Sequence, residues 1–176
     1  MSRTAIDMLL RQMNAAYRDD PFHAFRNNVA SVRPEEWDVR PSGWTVEEFG
    51  AQPELSIRDL VLHVAAPKYM YADRAFGDAT LEWGDIKLPS LDTESILRWL
   101  DDGHRKLVDG LAALEDDAEL AVERQTPWRA PTTMRRDQLL TIVINHDVYH
   151  SGEINRQRAL IRGTQGWDRA ASPLPP

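Results

Sequence analysis

Asn145-His146-Asp147-Val148-Tyr149-His150-Ser151-Gly152-Glu153-Ile154 lies inside a helical-looking run from Met134 to Arg162. Two histidines four residues apart on a helix stand about one turn apart on one face, so both imidazoles reach a single point in space. That is metal-ligand spacing. Leu139, Ile142, Val143, Ile154 and Leu160 fall on the same stripe as His146 and His150, which predicts that the pair points into the protein. Buried rings must be satisfied. They are either core histidines bonded to neighbours or neutral imidazoles on a divalent metal that a ligand from another helix completes.

A third histidine sits in an earlier helix. Ser56-Ile57-Arg58-Asp59 is a capping box that opens a run to about Phe76, before Gly77. Within it, Leu60-Val61-Leu62-His63-Val64-Ala65-Ala66 is apolar nearly all round, so His63 is expected to be buried and costly to leave unpaired. His63 is near the middle of its helix, as His146 and His150 are of theirs, and antiparallel packing brings the three to one height. Pro67 frees the carbonyl of His63 from its helical hydrogen bond and is expected to kink the helix there.

The remaining helices follow from apolar spacing. Ile6, Leu9, Leu10, Met13, Ala16 and Tyr17 mark a first helix from about Thr4 to Arg18, ended or kinked by Pro21, with Phe22 and Phe25 carrying the apolar face a turn further. Leu97, Leu100, His104, Leu107, Leu111 and Leu114 mark a helix capped by Asp92 or Thr93. His104 occupies a core slot in it, either as a further ligand or acid-base group or in a supporting or structural role. The run from Met134 is capped by Thr132 or Thr133 and stopped by Gly163. His23 has no partner in sequence and reads as a surface residue. The connections are long: Val32 to Pro53, with a second capping box at Thr45-Val46-Glu47-Glu48, a dozen residues through Trp83, and Glu115 to Pro131. Trp37, Trp44, Trp83 and Trp128 in these connections are expected to plug or cover the core. No strand alternation competes with four helices. The fold class is therefore all-α, a four-helix bundle, with residues 1–165 as a single domain and 166–176 as a flexible tail.

Composition bounds the chemistry. In 176 residues, 42% hydrophobic with six tryptophans, there is apolar material for one full core. A net charge of -7 with no basic block excludes nucleic acid as the expected partner. Membrane is excluded likewise, since no apolar run reaches about 18 residues. The segment Met1 to Asp7 lacks the apolar core of a secretory leader, so a cytoplasmic location is expected. With no cysteine, histidine and carboxylate are the strong metal ligands, and any thiol chemistry needs an external thiol.

His63 in Leu62-His63-Val64-Ala65, the Phe76-Gly77-Asp78 helix end, and His146 and His150 followed by Gly152-Glu153-Ile154 resemble the DinB-like/YfiT superfamily of metalloenzymes over nearly the whole chain. The resemblance implies a four-helix bundle of DinB/YfiT type holding one divalent metal on His63, His146 and His150, with an open position for water or substrate. Zinc, nickel and iron all suit neutral imidazoles. Glu153 stands where many members have glutamine. Better-understood relatives transfer or isomerise small molecules with thiols such as bacillithiol, mycothiol or glutathione. The resemblance therefore implies a thiol-dependent transferase or isomerase with a small-molecule substrate; a metal-dependent hydrolase and a non-catalytic metal- or ligand-binding protein are the alternatives. Glu153 and Asp59, each one turn from a ligand on its own helix, are candidates for orienting a ring or handling a proton.

Two other readings of the residues compete. His146-Asp147-Val148-Tyr149-His150 is one methylene from the His-Glu-x-x-His of zinc proteases, but no histidine follows His150 and His63 would be left over. A di-iron site needs inward Glu-x-x-His pairs, which the helices lack. Finally, Leu140, Ile144 and Val148 form a second apolar row, offset by about 100 degrees from the first. Either the connections cover it or the chain forms a homodimer.

Overall fold

The computed structural model describes residues 2–40, 55–128 and 132–163. Among them, the chain folds as an all-α bundle of four long helical segments. These are α1 (Thr4–Asn14), extended by a π-helical turn (Ala15–Asp19), α3 (Ile57–Phe76), α4 (Thr93–Ala112) and α5 (Arg136–Arg162). The short α2 (Phe25–Ala30) packs on α5, and α3 packs on both α4 and α5. The Ser56–Asp59 capping box opens α3 as expected, Asp92 caps α4, and Gly163 ends α5 at φ 67°. The left-handed backbone at Gly163 is the conformation glycine supplies without a Cβ clash. Among the described residues, no helix is long and apolar enough to cross a membrane.

Several boundaries differ from expectation, each for a local reason. The first helix does not run on as α-helix. It loosens to a π turn at Ala15, and the Asp20 carboxylate then accepts the amides of Phe22 and His23 beside Pro21, so the chain breaks and restarts as α2. Phe25 and Val29 of α2 thus reach the core from a new direction. The cap of α5 is Arg135, not Thr132 or Thr133, because Thr133–Arg135 forms a strand antiparallel to Glu123–Gln125. Strands of three residues are too short to show a period of two in the sequence. Helix α3 runs continuously through Pro67.

The core lies in two clusters stacked along the bundle. One joins Tyr17, Phe25, Trp37, Ile57, Leu60, Val64, Ile96, Leu100 and Ile154; the other joins Ile6, Met13, Tyr71, Ala75, Leu107, Leu111, Leu139, Leu140 and Val143. On α3, α4 and α5 the buried residues between the clusters include polar or small ones: Lys68, Gly103 with His104, and Asp147. A Cβ on Gly103 would stand 3.1 Å from the Cβ of Lys68 and 2.9 Å from the Tyr69 ring, so this glycine lets α3 and α4 close together at that level.

The buried stripe of α5 is Leu140, Val143, Asp147, His150, Ile154 and Gln157, in alternating steps of three and four. Leu140, expected on a second row, is core, and Leu160, expected to face inward, is exposed. Ile144 packs at the edge of the core and Val148 stays exposed. Most of the second row is thus absorbed within the chain. Trp37 is core, whereas Trp83 and Trp128 are half-exposed, and the Trp83 indole donates to the carbonyl of Pro127 at 3.1 Å. Trp44, the box at Thr45–Glu48 and the 166–176 tail lie outside the described residues.

Candidate metal centre

Helices α3 and α5 bring His63, His146 and His150 to one point. His146 Nε2 stands 3.2 Å from His63 Nε2 and 3.1 Å from His150 Nε2, and one ring nitrogen from each lies within 4.8 Å of the others. The three rings tilt or stand edge-on to one another rather than stacking. The cluster is not sealed in the core as the apolar surroundings of His63 predicted. His150 is buried, His146 is half-buried, and His63 is exposed. On α5, Asp147 and His150 lie on the inward stripe and His146 falls at its edge.

Glu153 sets the protonation pattern. Its Oε2 lies 2.7 Å from His150 Nδ1. An ionised carboxylate only accepts, so Nδ1 carries the proton and Nε2 presents its lone pair to the cluster. Burial, then the neighbouring His150 and His63 and the Lys68 ammonium, hold His146 down to about 3. Burial and His150 also lower His63, with Glu153 pulling the other way. Both rings are neutral at ordinary pH, the form that ligates. Tetrahedral ligands at a Zn–N distance of about 2.0–2.1 Å stand roughly 3.3 Å apart. The 3.2 and 3.1 Å separations are close to that, and the three ligand atoms lie within 4.8 Å of one another, so this donor set fits a divalent metal. Replacing Glu153 tests its part: Glu153→Ala is expected to lower divalent-metal affinity on the order of 10- to 100-fold by isothermal titration. Glu153→Gln, whose carbonyl still accepts from Nδ1, is expected to cost less than tenfold.

The other candidates lie elsewhere. Asp59 turns to the start of α3, where it accepts from Ser56 and Arg40, so its carboxylate does not meet the histidines. His23 is exposed and pairs with Asp20. His104 stacks on Tyr17 at 3.7 Å, with Nε2 3.4 Å from Asn14 Oδ1 and Nδ1 without a hydrogen-bond partner. It belongs to the polar layer inside the bundle and not to the three-histidine cluster. Burial, with Lys68 and Arg18 nearby, pushes it down to about 3. A histidine near 6.5 when unfolded but lowered when folded takes up its proton on unfolding, so its contribution is present above about pH 6.5 and is lost in acid. The metal-free chain is expected to lose about 1 kcal/mol per pH unit for each of His104 and His146 between about pH 6 and 4. Urea unfolding across that range checks this, and His104→Phe is expected to flatten the slope by about half.

Sequence reasoning missed the ion pair of Lys68 and Asp147. Lys68 Nζ meets both Asp147 oxygens at 2.6 Å, with each side chain 1% exposed. Burial pushes the Asp147 carboxyl up against the pull of Lys68. Sealed in this pair, Asp147 has no path to a water at the histidines, which removes the zinc-protease reading. The signal was present: Asp147 keeps step with Leu140, Val143 and Ile154 on the core stripe.

Residues 19–154 match the family model of the DinB superfamily. No curated protein matches the chain.

Proposed function

The chain belongs to the DinB superfamily, and within it we propose a divalent-metal-dependent enzyme that acts on a small molecule with an external thiol, as a transferase or isomerase. The observation that carries this reading is the convergence of three imidazole nitrogens on one side of which the chain is open. His63, His146 and His150 would hold the ion. Bound there, a divalent cation supplies a Lewis acid that brings the pKa of water or a thiol towards neutrality.

The chain's own residues prepare that side. Glu153 fixes the His150 tautomer, burial keeps His146 neutral, and exposed His63 leaves the outer face accessible to a substrate. Tyr149 stands edge-on to His150 at 4.9 Å and is exposed, so its phenol flanks the approach. The sequence has no cysteine, so a thiol in the reaction comes from the second substrate. No aspartate or glutamate other than Glu153 is bonded to a cluster histidine among the described residues, and Glu153 is occupied by His150. That favours a reaction in which the thiol is the nucleophile over one that needs a separate carboxylate base for water.

Screening decides. The chain loaded with zinc, nickel or iron is presented with low-molecular-weight thiols and electrophilic substrates. Thiol-dependent turnover supports the proposal. Ester or amide turnover without thiol makes the chain a hydrolase, and saturable metal binding without turnover makes it a binding protein.

A further inference from the structure

A buried ion pair is a poor source of stability, because the desolvation of two charges offsets most of their attraction. Lys68 and Asp147 are each 1% exposed and sit between two apolar clusters where hydrophobic side chains would pack. Their position offers another reason for them. Lys68 is on α3, five residues beyond His63; Asp147 is on α5, next to His146 and three residues before His150. The bridge therefore joins the two helices that carry the histidines, at the level of the cluster.

The cluster needs such a joint. His63 alone comes from α3, and it is exposed, so little apolar packing holds its ring. A slip of α3 along α5 by one residue would move it by about 1.5 Å, enough to spoil a separation of 3.2 Å. Apolar contacts tolerate such slips, whereas a two-oxygen contact at 2.6 Å has one favourable register. Neighbouring contacts hold the lysine in place. Its ammonium lies 5.0 Å from the centre of the Tyr17 ring, which the π turn of the first helix presents, and the Tyr17 hydroxyl donates to Asp101. Gly103 leaves room for the Lys68 stem.

We propose that Lys68 and Asp147 are positioning residues for the three-histidine cluster: they set the register of α3 against α5 so that His63 meets His146 and His150. This rests on the metal reading for its use, but the placement itself is a property of the metal-free chain.

The test is the double replacement Lys68→Met with Asp147→Leu, which removes one charge of each sign and leaves the net charge at -7. Two quantities are read. In the metal-free chain, nuclear Overhauser effects report the approach of the His63 ring to those of His146 and His150, whose centres are 5.0 and 4.9 Å away. In the metal-loaded chain, titration reports zinc affinity. The expected result is a folded double variant with a melting temperature at or above the parent's, weakened ring-to-ring effects, and zinc affinity lowered on the order of tenfold or more. A purely structural pair would leave both readouts at the parent's values, and that result overturns the proposal. Failure of the parent to bind any divalent metal would defeat the metal reading instead. The ring-to-ring effects would then still decide whether the bridge sets the register. Should the double variant not fold, Lys68→Arg with Asp147→Glu, which keeps the charges but changes the reach, is read in the same two ways.

Discussion

His63→Ala is expected to abolish stoichiometric binding of divalent metal, with affinity lowered on the order of 100-fold or more, exceeding the loss from removing a group behind the ligands. The metal-free variant should unfold within about 0.5 kcal/mol of the parent, because His63 is exposed and its removal opens no cavity. That separation of effects makes His63 the cleanest of the three histidines to replace. His150 is buried and bonded to Glu153, so its loss would disturb packing as well as ligation. His146, half-buried between the other two, is intermediate. Metal content after dialysis and thermal unfolding in a chelator measure the two quantities. Full occupancy in the His63→Ala chain, with parental affinity, would take His63 out of the site and leave the His146 and His150 pair on its own.

The sequence made the four long helices legible because each carries a stripe long enough to show a helical period, and because Ser56, Asp92 and Gly163 punctuate their ends in ways with a physical cause. The convergence of His63 with His146 and His150 could be anticipated from mid-helix heights. Exposure could not. Whether a histidine flanks a stripe or centres it depends on a rotation of one residue about the helix axis. On α5 that rotation was concealed, because Leu139 and Leu140 are both core and Leu160, which extends the wrong stripe, is exposed. Taking Leu139, Ile142, Val143, Ile154 and Leu160 as markers put His146 and His150 on the stripe; the buried set, which adds Leu140 and drops Leu160, puts Asp147 there beside His150. The ion pair was hidden for the same reason. A charged residue in the middle of a core stripe reads as solvated until the opposite charge is known to face it, and Lys68 lies 79 residues away in sequence. The Thr133–Arg135 strand and the π turn at Ala15 are set by tertiary contacts and hydrogen bonds that leave little periodic trace.

The Lys68→Met replacement alone should be among the most damaging single changes in the chain, costing about 3–5 kcal/mol at pH 7, against a total stability of about 5–15 kcal/mol for a typical domain. It leaves the Asp147 carboxylate in a site 1% exposed without its partner. The pH dependence of that deficit identifies its cause. Without the lysine, burial acts unopposed on Asp147 and raises its folded pKa above the value of about 4 expected in the unfolded chain. A group raised on folding binds its proton more tightly when folded, so the variant regains stability relative to the parent as the pH falls towards 4 and loses it as the pH rises. Lys68 also helps to lower His104 and His146, so its loss lets both move back towards their unfolded value, which narrows the deficit in acid in the same direction. Urea unfolding of parent and variant, metal-free, at pH 7 and pH 5 should therefore show a deficit that narrows in acid. A deficit below about 1 kcal/mol, or one that widens at pH 5, would mean that the carboxylate finds water or another donor once Lys68 is gone. Adding Asp147→Leu to Lys68→Met should then restore the lost stability at pH 7 to the parent's level or above, because the uncompensated charge, and not a missing contact, is what the single replacement leaves behind.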